Sequence, residues 1–219
     1  MKKIIALGVI VVIAVLLAIF GRDLLDLYRL QSYITTSTEA YQAERGNWPH
    51  LTDACTGCHG SHGNSMNSRY PSLAGQPAAY LSAQLRNFAS GQRLAPNMGP
   101  LAMTLSPDDI DLLANFFYAR QSVVAHAAVS PDEGLRDQGK QLVQTRGCTA
   151  CHGAQLMGQD AFPRLAAQGQ DYLLAQLNAF ASAERIEPSG AMQAMAAALS
   201  AQERQAIAAY LAALVPQPR

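Results

Sequence analysis

The sequence predicts an all-α protein: two helical units in tandem, preceded by one transmembrane helix. Three observations predict it. An apolar run opens the chain, one segment recurs at an interval of 92 residues, and no stretch alternates polar and apolar residues with the period of a strand. The 219 residues suffice for one large domain or two small ones. The 49% hydrophobic and 15% charged composition is that of an ordinary globular chain. Its 16 acidic and 16 basic residues cancel, which argues against nucleic acid as a partner, since that needs a basic face.

Residues 4–20 read IIALGVIVVIAVLLAIF, without a charge. At ~1.5 Å rise per residue the run covers roughly 25 Å, near the short limit for crossing a bilayer. A cleaved signal peptide has a shorter apolar core and ends in a small-x-small site. Here the run ends Ala18-Ile19-Phe20-Gly21, with Phe20 where a small residue is wanted. The expectation is therefore an uncleaved single-pass anchor. Lys2 and Lys3 precede it, so the positive-inside tendency leaves the N-terminus in the cytoplasm and carries the rest outward. Leu24, Leu25, Leu27, Tyr28 and Leu30 continue an apolar stripe toward Tyr33 and Tyr41, as far as Gly46-Asn47-Trp48-Pro49. This reads as a helical stalk, either a solvated spacer or a docking helix for a membrane partner.

The four cysteines fall in two motifs, Cys55-Thr-Gly-Cys58-His59 and Cys148-Thr-Ala-Cys151-His152. A C-x-x-C-H run is the attachment motif of c-type haem. Two thiols one helical turn apart add across the vinyl groups along one porphyrin edge, and the adjoining histidine faces the iron. A zinc site could use two such pairs, but each pair here is followed at once by His. A thioredoxin-like C-x-x-C needs a preceding strand, and none is visible. Two disulfides within the pairs would leave His59 and His152 without a role. The expected cofactors are thus two covalently bound haem c groups, with iron held by His59 and His152.

The segment from Pro71 to Arg93 aligns without a gap on that from Pro163 to Arg185, sharing Pro, Leu, Ala, Gln, Tyr, Leu, Ala, Gln, Leu, Phe, Ala, Ser and Arg in order. The chain therefore duplicates one haem-binding unit. Gly46 and Gly139 match upstream, each nine residues before a motif cysteine; Leu105-Ser-Pro-Asp-Asp matches Leu199-Ser-Ala-Gln-Glu downstream. The predicted organisation is an anchor over residues 1–21, a stalk over 22–45, a first haem domain over 46–120, a linker over 121–133 and a second haem domain over 134–219. Ser130-Pro131-Asp132-Glu133 reads as an N-cap, a first-turn proline and two acids opening a helix. Ser106-Pro107 and the Ser200-to-Glu203 capping box open the last helix of each unit. Tyr80, Leu81, Leu85 and Phe88 share one face of an intervening helix, as do Tyr172, Leu173, Leu177 and Phe180. Units of about 75 to 85 residues are small for a self-sufficient core, so haem would supply much of each interior.

The sixth iron position separates a carrier from a catalyst. A methionine thioether gives a relatively high potential; an open position would admit peroxide or oxygen. Met98 and Met192 each stand seven residues before the leucine of the repeated Leu-Ser pair, whereas Met103 and Met195 are out of register. A ligand should recur in register, which selects Met98 and Met192; the alternative is that all four are core filler. A backbone carbonyl near Pro71 or Pro163 could accept the imidazole Nδ1–H, the plain alternative being a turn proline. Arg93 and Arg185 have haem propionates or solvent as candidate partners. His62 reads as a loop residue, and His50 and His126 carry no pattern.

Two C-x-x-C-H units, Pro-x-Leu-Ala-(Gly/Ala)-Gln, Tyr-Leu-x-x-Gln-Leu and a methionine seven before a Leu-Ser helix start together resemble the cytochrome c4 family, over about residues 46–215. The resemblance implies two tandem class I cytochrome c domains related by a pseudo-twofold axis, with haem edges close enough for rapid exchange. It implies electron transfer from a quinol-oxidising bc complex or a periplasmic dehydrogenase to a haem–copper terminal oxidase, at the periplasmic face of a bacterial inner membrane. That family is typically soluble after signal cleavage, so the predicted anchor departs from it and favours a tethered carrier or a subunit of a larger complex. No nucleophile–base pair or carboxylate dyad appears in register, so no catalytic residue is expected. Two other classes stay open: a dihaem peroxidase-like enzyme with one open haem site, and an assembly subunit that only anchors an enzyme.

Overall fold

Caps and turn residues cut the chain into short helices. The computed structural model describes residues 20–21, 23–29, 31–32, 35, 50–119, 123 and 132–216. The chain divides into an N-terminal segment ending at His50 and a body from Leu51 to Arg219. In the segment, residues 20–21, 23–29, 31–32 and 35 are helical, and Leu24, Leu25, Leu27 and Tyr28 are exposed. Among the described residues no helix is long and apolar enough to cross a membrane. Residues 1–19 of the predicted anchor, residues 36–49 with Gly46 and Trp48-Pro49, and most of the predicted linker with His126 lie outside the described residues.

In the body the helices are α1 Asp53–His59, α2 Ala78–Ala89, α3 Met98–Ala102, α4 Pro107–Ala119, α5 Glu133–Thr145, α6 Cys148–His152, α7 Gln170–Ala181, α8 Ala191–Ala197 and α9 Ala201–Ala213. The series α1 to α4 recurs as α6 to α9. No strand forms among the described residues; a single bridge joins Gln159 and Phe162. The fold is all-α.

Local chemistry explains the helix starts. Ser200 and Glu203 form a full capping box on α9. Ser106 and Asp109 make the same exchange on α4, Asp109 N–H donating to Ser106 Oγ at 3.2 Å and Ser106 N–H to Asp109 Oδ2 at 3.0 Å. Helix α5 departs from expectation. Its N-cap is Asp132, not Ser130, because Asp132 keeps a non-helical backbone (φ −44°, ψ 125°) and its carboxylate accepts Gly134 N–H at 2.9 Å. Ser130 and Pro131 lie outside the described residues.

Each half has its own core. In the first, α2 packs on α3 and α4 around Leu81, Leu113, Ala114 and Phe117. In the second, α9 packs on α5 and α7, and α7 on α8, around Val143, Leu173, Ile207 and Leu211. The α5–α9 crossing is close because Gly139 faces Ala206. A Cβ at Gly139 would fall on the Ala206 carbonyl and lie 2.8 Å from Tyr210 Cβ.

A polar seam joins the two halves. Tyr172 N–H donates to Ser68 O at 2.9 Å, and the Ser68 hydroxyl donates to Asp171 at 2.5 Å. Gly169 permits this approach, since a Cβ there would meet the Ser68 carbonyl. Its repeat counterpart, Pro77, has nearly the same backbone (φ −53°, ψ 132° against −54°, 128°). Gly139→Ala is expected to destabilise the body by about 2 kcal/mol, the usual cost of forcing a methyl group into a filled crossing. A lower denaturant midpoint at unchanged slope is the readout; an unchanged midpoint would show that α5 and α9 separate at no cost.

Candidate functional site

Each C-x-x-C-H motif forms a single helical turn closed by a glycine in the left-handed region. Gly60 (φ 79°) ends α1 and Gly153 (φ 83°) ends α6. Cys55 and Cys58 lie one turn apart, as do Cys148 and Cys151. None of the four is in a disulfide; Cys58 and Cys151 are exposed, Cys55 and Cys148 half-buried. His59 and His152 are buried.

The two imidazoles are held alike. His59 Nδ1 lies 2.7 Å from Pro71 O, and His152 Nδ1 lies 2.9 Å from Pro163 O. A carbonyl has no proton to give, so Nδ1 carries the hydrogen in both rings. Burial pushes both imidazole pKa values down, against the upward pull of the carbonyl bond. A neutral ring protonated at Nδ1 presents the Nε2 lone pair, the form that ligates a metal. Among the described residues no three His, Cys, Asp or Glu side chains gather as a bare-ion site would require. Paired thiols outside any disulfide, each pair beside a pre-oriented imidazole, suit covalent haem.

The prolines belong to loops built twice over. Leu73 and Ala74 donate to Gly63 O at 2.6 and 2.9 Å; Leu165 and Ala166 donate to Leu156 O at 2.9 and 3.0 Å. Gly75 N–H donates to Phe117 O on α4 and Ala167 N–H to Leu211 O on α9, both at 2.9 Å. This turn needs a left-handed residue. Gly75 supplies it without strain (φ 64°), whereas Ala167 adopts φ 55° despite its Cβ.

Met98 opens α3 and Met192 lies in the first turn of α8, both half-buried. Met103 is 71% exposed beyond the end of α3, while Met195 is half-buried on α8. Met66 is exposed and Met157 packs in the second core. His62 is exposed and His50 is buried.

Arg93 and Arg185 acquire partners that sequence reasoning missed. Arg93 donates to Gln84 of its own half at 2.8 Å, and across the seam to Tyr172 Oη at 3.1 Å and Gln176 at 2.8 Å. Arg185 mirrors it, donating to Gln176 at 2.5 Å, Tyr80 Oη at 3.2 Å and Gln84 at 3.1 Å. Each guanidinium also lies over a phenylalanine of its own half, Phe88 at 4.6 Å and Phe180 at 4.5 Å. Tyr80 and Tyr172, expected on the same apolar face as their leucine neighbours, thus serve the seam while Leu81 and Leu173 enter the cores. Burial alone would raise the Tyr172 phenol, but Arg93 and Arg185 outweigh it and hold it down to about 8. These bonds join two cations to neutral groups, an arrangement that favours an anion alongside.

A family profile described as Cytochrome c matches residues 43–118 and again 137–214. The thiosulfate dehydrogenase electron acceptor of Stutzerimonas stutzeri (strain A1501) is 39% identical over 170 residues, covering 73% of this chain and 78% of that one. Cytochrome c4 of Thiocapsa roseopersicina is 39% identical over 169 residues, covering 73% and 86%. The crystal structure of reduced cytochrome c4 from Pseudomonas stutzeri superposes with a TM-score of 0.69 at 29% identity, covering 81% of this chain and 98% of that one. Two tandem cytochrome c domains carry two covalently bound haem c groups and move electrons without catalysing bond chemistry. The duplicated motif turns, the matched folds and these relatives agree that the chain belongs to the cytochrome c4 family of dihaem class I cytochromes c.

Proposed function

We propose that this chain is a membrane-anchored dihaem cytochrome that relays electrons outside the cytoplasmic membrane of a bacterium, as a tethered carrier or as a subunit of a larger complex. The observation that carries the haem assignment is the duplicated His-to-proline carbonyl bond, which sets both imidazoles in the ligating tautomer. In this reading Cys55, Cys58, Cys148 and Cys151 would hold haem through thioethers, and His59 with Met98 and His152 with Met192 would ligate the two irons. When bound, haem supplies a one-electron ferric–ferrous couple. The chain's own groups orient the imidazoles, exclude water from the proximal side by burying both histidines, and supply thioethers that favour the reduced state. Arg93 and Arg185 would neutralise propionates at the seam. The haem domains occupy residues 46–120 and 134–219, with residues 121–133 linking them.

A periplasmic dehydrogenase is the favoured donor, supported by the relative described as a thiosulfate dehydrogenase electron acceptor. A bc complex is the other donor of this class, and a haem–copper terminal oxidase the acceptor. The anchor rests on the apolar run at residues 4–20 and the two lysines before it.

Met98→Ala and Met192→Ala should each remove about half of the weak methionine–ferric charge-transfer band and let one reduced haem bind carbon monoxide. Carbon monoxide binding by the unaltered reduced protein would favour an open site and a peroxidase-like chemistry. Replacing residues 1–21 with a cleaved export signal should move the holoprotein from alkali-washed membranes to the soluble periplasmic fraction. Retention in the membranes would refute the anchor.

A further inference from the structure

The peptide group that receives each ligand imidazole is itself held from the other half of the molecule. The Pro71–Ser72 peptide accepts His59 Nδ1–H on its oxygen, and its N–H donates to Gln168 Oε1 at 2.7 Å. The Pro163–Arg164 peptide accepts His152 Nδ1–H, and its N–H donates to Gln76 Oε1 at 2.9 Å. Each glutamine closes its clamp with its own amide. Gln168 Nε2 donates to Ser72 O at 3.0 Å, and Gln76 Nε2 to Arg164 O at 2.9 Å. Ser72, Gln76, Arg164 and Gln168 are all buried, none more than 3% exposed. The arrangement is reciprocal, and water does not compete for it.

A peptide whose N–H is engaged becomes a better acceptor at its oxygen, because the two ends of the amide polarise together; hydrogen bonds in series strengthen one another by roughly 10–30% each. A stronger acceptor draws the Nδ1 proton and makes the imidazole a more basic ligand. A more basic ligand stabilises ferric over ferrous iron and lowers the potential. The path from glutamine to iron is one side-chain amide, one peptide and one imidazole.

We infer that Gln168 and Gln76 are crossed positioning residues, each setting the proximal ligand strength of the haem held by the opposite half. This rests on His59 and His152 binding haem. The clamp therefore makes the two potentials interdependent: a change in one half is read at the iron of the other.

The test uses the full chain in detergent, with two haems per chain first verified by the pyridine haemochrome. Gln168→Met keeps volume and removes the acceptor. In ferrous protein with 15N-labelled histidine, the His59 Nδ1–H resonance should move upfield while that of His152 stays. One midpoint potential should rise by at most about a tenfold shift in the one-electron equilibrium, ~59 mV. Gln76→Met should give the mirror result, moving His152. Movement of the histidine in the same half, equal movement of both, or movement of neither would overturn the inference. Should either variant lose haem, redox-difference infrared spectra of the unaltered protein with 13Cδ-labelled glutamine decide. Side-chain carbonyl bands that shift with each oxidation support the clamp, and static bands refute it. Fewer than two haems in the unaltered chain would instead refute the haem reading, and the inference with it.

Discussion

A buried peptide group must satisfy both its N–H and its carbonyl, and the fold is organised around two such groups. The carbonyls of Pro71 and Pro163 face histidines of their own half, while the N–H groups that follow face glutamines of the other. Neither half can complete this alone. Separating them would break the bonds that tie Ser72 and Gln76 to Arg164 and Gln168 across a face that is now dry. Ring orientation and association of the halves therefore depend on the same few bonds.

The second feature of the seam is charge. Arg93 and Arg185 interlock through Gln84, Gln176, Tyr80 and Tyr172, and the cations depress the Tyr172 phenol despite its burial. Fixed guanidinium groups held by neutral partners make a positive region that needs no reorganisation when an anion binds. The backbone clamp and the charged cluster are distinct devices on one seam, the first directed at the imidazoles and the second suited to the acidic edge of a porphyrin.

What was legible in the sequence was local or repeated. The C-x-x-C-H turns, the 92-residue register and the caps at Ser106 and Ser200 depend on neighbours a few residues away, so a linear reading reaches them. The N-cap at Asp132 is not legible, because Ser130 and Asp132 are both acceptable caps and only backbone conformation chooses. The roles of Gln76, Gln168, Tyr80 and Tyr172 were not legible. A glutamine in a loop and a tyrosine on a helix look the same whether they meet solvent or a second domain. The pairings join residues 79 to 105 positions apart, where no periodicity operates. Exposure separates Met98 from Met103, but Met192 and Met195 share one short helix and similar burial, so register in the repeat remains the ground for choosing between them.

The reciprocal seam has the form of an isologous dimer contact, in which one patch meets its own copy. In a true dimer every substitution appears twice, facing itself. Here it appears once. At the position after the clamped proline the first half has Ser72 and the second Arg164, whose guanidinium reaches the Ser72 carbonyl at 3.3 Å. Two arginines there would set like charges against each other in a closed space, which a symmetric pair could not avoid. Joining the copies in one chain lifts that prohibition and lets a buried cation occupy one side only, so that two sites of common descent can come to differ in electrostatic surroundings while keeping the contact that unites them.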